Sequence, residues 1–328
     1  MWINAVYFAI VTSSITRKLL IEEAQKRGWK TESLSDEFFL KITDNHGQSE
    51  LIRGTRTNRS SANGCLITQH KQVTMAFLED IGYEVIPYLT PDSFDEALSF
   101  MLEHRVIVVK PTDASQSAGV EVNVRDAAHL QKALGTARAN SPTSTVLLQP
   151  YLKGNLYRLM VLNGKFIGAV QRKAAEVIGD GKHTIQWLID EANKDPRRGI
   201  DSSSVLKKIY LSGAISYLGR EGIKTIPEAG KAVRVNYIDS VSAGGEAINV
   251  SDTVHSTWQQ AAIDITTKAG LFICGFDVMC DDIAKPMETP VPILELNSMP
   301  GLKLLHFPTG GGEPINAASL LLDELFTL

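Results

Sequence analysis

Two apolar segments near the C-terminus each carry acidic or amide side chains, and this feature limits the possible folds more than any other. The first is Phe276-Asp277-Val278-Met279 and the second is Ile293-Leu294-Glu295-Leu296-Asn297. Side chains alternate along a strand, so Glu295 and Asn297 lie on one face. If the two strands are neighbours, three oxygen ligands converge with Asp277, and such a set suits Mg²⁺. Pairing of these carboxylates with Lys or Arg, or exposure at strand ends, is the alternative.

Composition restricts the function classes. The chain has 328 residues, with 33 Lys and Arg against 37 Asp and Glu, so its formal net charge is −4. It therefore lacks the basic excess that drives binding to nucleic acids or anionic membranes, and we expect neither partner. Apolar residues make up 44%, enough for a sizeable core. The three cysteines cannot form a disulfide framework and indicate a reducing compartment.

The N-terminal pattern predicts a small α/β lobe. The start of the chain, residues 1–15, is apolar but lacks a basic segment and a small-residue cleavage site, so we interpret its apolar run at 5–11 as a first strand and expect a cytoplasmic protein. Helical periodicity over 15–27 and a strand over 29–34 follow, and a polar stretch at 53–64 marks a boundary. We predict lobes at 1–66, 67–150 and 151–328, in the α/β (α+β) class.

Local signals predict most later elements. Thr68 is expected to cap a helix that ends before Gly82, a short strand is expected at 85–88, and a Lys-rich helix near 205–211. Asn163-Gly164 between alternating apolar residues is a strong hairpin signal. Strands at 105–110 and 146–151 and helices at 94–104 and 127–140 complete the middle of the chain.

Further segments could contact a ligand. Lys110 ends an apolar strand and precedes a loop whose small and hydroxyl residues, among them Ser115 and Ser117, could present N–H groups to a phosphate. The segment 148–154 could read an adenine edge, or simply link two lobes. Gly244-Gly245 permits close approach of a ligand, although a plain loop is the simpler reading.

Taken in order, several motifs resemble the ATP-grasp superfamily, specifically the ligase modules of cyanophycin synthetase and of the bifunctional glutamate–cysteine ligase/glutathione synthetase. The resemblance runs from about residue 67 to the C-terminus. It is most specific in RKAAEVIGDGKHTI, NKDPRRG, SVSAGGEAINVSDTVH, GLFICGFDVM and ILELNSMPGL. It implies the ATP-grasp fold, in which two α/β lobes clasp ATP, here with the small N-terminal lobe in addition.

The resemblance also implies site residues. Lys71, Lys110, Ser115 and Ser117 would contact the ATP phosphates, and Gln149, Tyr151 and Leu152 would form the adenine hinge. Asp277, Glu295 and Asn297 would hold Mg²⁺, with two ions expected and Mn²⁺ as an alternative. Arg158 and Arg172 would steady the acyl phosphate or the transferred phosphoryl group. Ser242, Gly244 and Gly245 would bind a substrate carboxylate through backbone N–H groups.

The expected activity is ATP-dependent carboxylate–amine ligation through an acyl phosphate, with release of ADP and phosphate. The partners would be small amino-acid or peptide substrates, and a homodimer is left open. Two alternatives are a ligase that modifies a ribosomal peptide or a protein terminus, and a nucleotide-binding regulatory module without catalysis. The retained Asp277, Glu295 and Asn297 set argues against the last of these, because a pure binder need not keep all three.

Overall fold

The structure is a computed structural model that describes residues 14–35, 38–114, 118–201 and 203–327. The strand expected at 5–11 lies outside the described residues. The helices are α1 (Ile15–Lys26), α2 (Ala62–Ile67), α3 (Lys71–Asp80), α4 (Phe94–His104), α5 (Ala127–Ala139), α6 (Ile185–Ala192), α7 (Leu211–Gly222), α8 (Ser256–Lys268), α9 (Lys303–His306) and α10 (Ala317–Phe326). Among the described residues, no helix is both long and apolar enough to cross a membrane.

The described strands are mostly short. They are β1 (Lys30–Leu34), β2 (Phe39–Thr43), β3 (Ser49–Ile52), β4 (Ile107–Pro111), β5 (Glu121–Val124), β6 (Val146–Pro150), β7 (Asn155–Leu162), β8 (Lys165–Lys173), β9 (Glu176–Ile178), β10 (Arg198–Gly199), β11 (Leu206–Lys207), β12 (Ala232–Arg234), β13 (Glu246–Asn249), β14 (Ile273–Cys280) and β15 (Ile293–Asn297).

The chain divides into two compact units, each built from separate segments. The first unit comprises the chain up to Arg59, Met160–Asp252, and the chain from Met299 onward. The second unit comprises Ser60–Leu159 and Thr253–Ser298. The predicted lobes at 1–66, 67–150 and 151–328 are each continuous in sequence, unlike these two units, and they stay a prediction.

The first unit contains several small antiparallel arrangements. Strands β1, β2 and β3 form one three-stranded sheet, β9 pairs with β12, and β8 pairs with β13. The Ser14 hydroxyl accepts from the Arg17 N–H to begin α1, and Gly28, with a φ of 72°, follows its end. The predicted helix over 15–27 is thus confirmed. The sheet of β1–β3 is larger than the single strand that the sequence predicts there.

The second unit holds a three-stranded sheet, ordered β5-β4-β6, under two helices. Its core is apolar and fully enclosed, because α4 and α5 each present an apolar stripe to the sheet. The buried side chains include Met101, Ile107, Leu130, Leu134 and Leu148. In the same unit β14 pairs antiparallel with β15, and β7 lies beside β14. Strands β14 and β15 carry Asp277 and Glu295, the acidic residues singled out in the sequence, and β7 carries Arg158.

The Asn163-Gly164 turn between β7 and β8 is confirmed, with both residues at positive φ, 47° and 70°. Positive φ at both central residues matches the right-handed twist of paired strands. The helices at 94–104 and 127–140 are confirmed as α4 and α5, capped by Ser93 and Asp126.

Three local predictions are wrong. Helix α3 begins after His70, while Thr68 ends α2, because the Thr68 hydroxyl donates backward to the Cys65 carbonyl. The segment 85–88 is no strand, since only isolated bridges from Val85 and Leu89 anchor it. The Lys-rich stretch near 205–211 is extended at β11, and its helix begins only at Leu211.

Two helical glycines provide a matched test of packing in the second unit. A methyl group added at Gly64 would lie 2.2 Å from the Ala269 carbonyl oxygen, whereas one added at Gly135 would meet nothing within 4 Å. We expect Gly64→Ala to lower the free energy of unfolding by about 1–3 kcal/mol, because backbone cannot yield as a side chain can. Gly135→Ala should raise it by up to about 1 kcal/mol through the helix propensity of Ala. Urea denaturation measures both changes, and equal effects would contradict this packing.

Candidate active site

The centre of the candidate site is a buried ion pair between β7 and β14 in the second unit. The Nε of Arg158 donates to Oδ1 of Asp277, and Nη2 donates to Oδ2 over 2.7 Å. Arg158 is 7% exposed and Asp277 is 5% exposed. Burial alone would lower the pKa of Arg158, but the charge and hydrogen bonds of Asp277 raise it above its ordinary value. Both groups therefore stay charged inside the fold, and each depends on the other.

A second carboxylate lies directly opposite the first. Asp277 on β14 is the register partner of Glu295 on β15, so the two strands are neighbours, which is the condition for their side chains to converge. Glu295 Oε1 lies 3.7 Å from Arg158 Nη2, and its Oε2 lies 3.9 Å from Lys71 Nζ. Burial and the neighbouring Asp277 raise the pKa of Glu295, although its side chain keeps 35% exposure and the two cations oppose the shift. The Asp277 carboxylate is hydrogen-bonded to Arg158, whereas the Glu295 carboxylate is partly exposed to solvent.

Asn297 completes the predicted ligand set. It lies opposite Gly275, two residues along β15 from Glu295, and is half-buried. No group of three His, Cys, Asp or Glu side chains that could hold a metal ion occurs among the described residues. A metal site here would combine the two carboxylates with the Asn297 amide oxygen and with water, several molecules of which Mg²⁺ usually keeps. Two facing carboxylates, one of which has its pKa raised by burial and by the other, are chemically suited to a divalent cation when an amide oxygen lies beside them.

Two lysines bring positive charge to the same carboxylates. Lys110, at the end of β4, is 6% exposed, and burial together with Lys71 lowers its pKa to about 7, against the attraction of Glu295 and Asp277. A lysine held this way gains its proton readily when an anion approaches. The structure thus gathers Lys71, Lys110 and Arg158 around one carboxylate pair, within a single unit.

The loop after β4 is anchored at its start. Lys71 donates its backbone N–H to the Thr112 carbonyl and its Nζ to the Ala114 carbonyl, each over 2.9 Å. On the other side, Asp113 accepts from the Ser141 hydroxyl and from the N–H and hydroxyl of Thr143. Ser115 and Ser117 lie outside the described residues, so their predicted phosphate contacts stay predictions.

Asp113 is an anchor of this loop that sequence reasoning missed. Its hydrogen bonds keep the pKa of the carboxyl below its ordinary value, although burial acts in the opposite direction. The signal was the run Ser141-Pro142-Thr143-Ser144-Thr145, rich in hydroxyl donors. Asp113 precedes Ser141 by 28 residues, so sequence spacing could not reveal the hydrogen bond between them.

The hinge residues differ from one another in availability. Gln149 on β6 is 2% exposed, and its amide nitrogen lies 3.8 Å from the Met75 sulfur. The Tyr151 N–H donates to the Val106 carbonyl over 2.9 Å, so this donor is already used within the fold and does not face an adenine edge. Leu152 follows in irregular backbone and is half-buried. The adenine assignment of these residues stays a prediction.

The remaining predicted residues belong to the first unit. Arg172 lies on β8, opposite Ala247 of β13, and is half-buried. In the loop 240–245 the N–H groups of Ser242 and Gly244 donate to the Ser240 hydroxyl and the Val241 carbonyl. The Gly245 N–H donates to the Ser240 carbonyl. The expectation that these N–H groups point at a substrate carboxylate therefore needs correction, because the loop already uses them.

The paired glycines have a packing reason. A methyl group at Gly245 would lie 2.0 Å from the Lys173 carbonyl oxygen, and one at Gly244 would lie 2.9 Å from the Ile209 Cα. Gly244 also has a φ of 88°, in the left-handed region that favours glycine. Close approach of the chain's own backbone thus accounts for both residues.

The chain resembles known proteins over nearly its whole length. It is 32% identical over 314 residues to cyanophycin synthetase of Crocosphaera subtropica, covering 94% of this chain and 36% of that protein. It is 29% identical over 320 residues to the glutathione biosynthesis bifunctional protein of Clostridium perfringens, covering 95% of this chain and 41% of that protein. No protein-family model matches the chain.

A solved structure shows the same fold. The bifunctional glutathione synthetase of Pasteurella multocida matches with a TM-score of 0.71 and 26% identity, over 95% of this chain and 43% of that one. The chain is therefore a homologue of these proteins over the part that it shares with them, and this homology supports its place in the ATP-grasp superfamily, as its motifs indicated. It spans about two fifths of the length of the curated relatives it matches.

The low pKa of Lys110 predicts a pH dependence of stability. Above about pH 7 the folded chain holds this lysine neutral, whereas the unfolded chain keeps the proton up to the ordinary value of 10.5. Unfolding then takes up a proton, so the free energy of unfolding should rise between these pH values, by up to about 1.4 kcal/mol per pH unit. Lys110→Met removes this contribution.

Urea denaturation at pH 7, 8 and 9 measures the effect. The free energy of unfolding of the wild type minus that of Lys110→Met should increase with pH. The corresponding difference between the wild type and Lys132→Met, at an exposed position of α5, should stay constant. Parallel pH profiles for wild type and Lys110→Met would show that Lys110 is an ordinary lysine.

Proposed function

We propose that the chain is an ATP-dependent carboxylate–amine ligase that joins amino acids or small peptides through an acyl phosphate. The observation that carries the proposal is the facing pair Asp277 and Glu295, with Lys71, Lys110 and Arg158 directed at it. The relatives named synthetases support it by homology. Acid–amino-acid ligation is the reaction class that this charge arrangement and this homology favour together.

The residues fit a divalent cation, and Mg²⁺ is the proposed ion. Asp277, Glu295 and Asn297 would hold it, and when bound it would neutralise charge on the distal phosphates of ATP. Arg158 fixes the Asp277 carboxylate through two hydrogen bonds and so fixes one ligand in place. The number of ions, a homodimer and a cytoplasmic location stay predictions.

The proposed reaction needs no nucleophile from the protein. A substrate carboxylate oxygen attacks the terminal phosphorus of ATP, the bond to the bridging oxygen breaks, and ADP leaves. An amine then attacks the carbonyl carbon of the acyl phosphate, loses a proton, and expels inorganic phosphate to leave the amide. Lys71 and Lys110 stabilise the negative charge of the phosphates, and the anchored start of the loop at 112–114 limits their movement.

Cys274 and Cys280 do not offer a competing mechanism. Cys274 is buried and burial raises the pKa of its thiol to about 12, as it does for the half-buried Cys280. A thiol with so high a pKa supplies little thiolate near neutrality. A thioester route through these residues is therefore disfavoured relative to the acyl phosphate.

Isotope transfer tests the reaction directly. With ¹⁸O in the carboxylate of the amino-acid substrate, we expect label in inorganic phosphate and ADP as the nucleotide product, in a screen of amino-acid pairs. The reason is that the cations surround a position suited to the distal phosphates, whereas the hinge at Gln149, Tyr151 and Leu152 carries none. Mass spectrometry of phosphate and nucleotide provides the measurement.

Other results would replace the proposal. Label in AMP would indicate an acyl adenylate. Product formed only with a peptide or protein terminus would identify the alternative ligase, and ATP binding without any ADP release would identify a regulatory module. The arm without amine serves as the control for ATP hydrolysis alone.

A further inference from the structure

A cluster of cations in the first unit lies next to the loop 240–245 and has no part in the site described above. Arg198 on β10 donates through Nη1 to the Lys207 carbonyl over 2.8 Å and to the Gly244 carbonyl over 2.9 Å. This guanidinium therefore joins β11 to the loop that sequence reasoning assigned to substrate. Lys303, the first residue of α9, reaches the residues just before β11, since its Nζ donates to the Ser204 carbonyl over 3.3 Å.

The two lysines of this cluster hold ammonium groups without an ion pair. Among the described residues, neither Lys207 nor Lys303 has a carboxylate within 4.0 Å; the Lys207 Nζ donates to the Ile200 carbonyl over 2.9 Å. Asp201 attracts Lys207 from further away, whereas Lys207 repels the ammonium group of Lys303. Burial and Lys207 lower the pKa of Lys303 to about 8. Two like charges brought together and partly desolvated are unfavourable unless an anion joins them.

Donor counting indicates what that anion is. An ammonium has three N–H donors, and each lysine uses one on a backbone carbonyl, so about four remain for a ligand. That number matches the lone-pair sites of a single carboxylate. The net charge of the chain is −4, so this is a local exception and not part of a general basic surface.

We propose that Lys207 and Lys303 form a binding site for a free substrate carboxylate, with Arg198 as a positioning residue that holds Lys207 against the loop 240–245. The proposal rests on the proposed ligase function, and it narrows the substrates. An amino acid or peptide that supplies the amine also carries a carboxylate that is not activated, and this group needs cationic partners. Lys207 and Lys303 supply these cationic partners, whereas the N–H groups of the loop 240–245 are already hydrogen-bonded within the loop.

Binding of a simple probe tests this without turnover. Saturation-transfer NMR with succinate, in the absence of ATP, should detect binding to the full chain, and the uncharged isostere succinamide should not bind. Lys303→Gln and Lys207→Gln should each weaken succinate binding about tenfold or more, as expected for loss of a charge-assisted hydrogen bond. Lys303→Arg keeps the charge and should retain most of the binding. Lys224→Gln is the matched control, because Lys224 is 62% exposed and already pairs with Glu221.

The outcomes separate this proposal from the ligase function. Equal binding of succinate and succinamide, or unchanged succinate binding by both Gln variants, would overturn the carboxylate site while leaving ATP-dependent ligation intact. Lysine-dependent succinate binding in a chain that releases no ADP with any substrate would retain the site and reject the ligase. Displacement of succinate by ATP alone would overturn the assignment to the substrate, since the lysines would then belong to the nucleotide. Circular dichroism of each variant confirms that loss of binding does not come from unfolding.

Discussion

The bidentate contact between Arg158 and Asp277 is the interaction on which the site depends. Both side chains are almost fully buried, so neither charge could persist without the other. Removing one partner from such a pair typically costs about 3–5 kcal/mol, whereas apolar replacements of both are often neutral. The pair is thus weak evidence for stability. Its effect is to hold a carboxylate at a fixed point of β14, where an apolar strand would otherwise carry none.

The other charges follow from that fixed carboxylate. Burial, together with Asp277 directly across the strand pair, raises the pKa of Glu295. Lys71 and Lys110 lie close enough to one another that burial and mutual repulsion lower the pKa of Lys110. A glutamate whose ionisation is opposed therefore lies near a lysine whose protonation is opposed. A metal ion beside the carboxylates would favour their ionised form, and phosphates beside the lysines would favour the protonated form of Lys110. This is the physical basis for proposing a nucleotide site in this unit.

The sequence predicted local structure well and long-range pairing poorly. Strands β14 and β15 were predictable because apolar runs with polar side chains on one face leave little choice of orientation, and the Asn163-Gly164 turn has few alternatives. Arg158 and Asp277 are 119 residues apart, so no spacing rule joins them, and the family resemblance assigned them different roles. The loop 240–245 misled the interpretation because two glycines indicate close approach without saying what approaches; here it is the Lys173 and Ile209 backbone.

The central claim is that Asp277, Glu295 and Asn297 together hold a divalent cation. Electron paramagnetic resonance of Mn²⁺ with ADP measures this directly. We expect the wild-type chain to bind Mn²⁺ with ADP, and Glu295→Gln to weaken that binding by about tenfold or more while leaving the fold intact, because it removes one charged ligand. Glu103→Gln, at a side chain 74% exposed on α4, is the matched control. Equal Mn²⁺ affinity in wild type and Glu295→Gln would contradict the account.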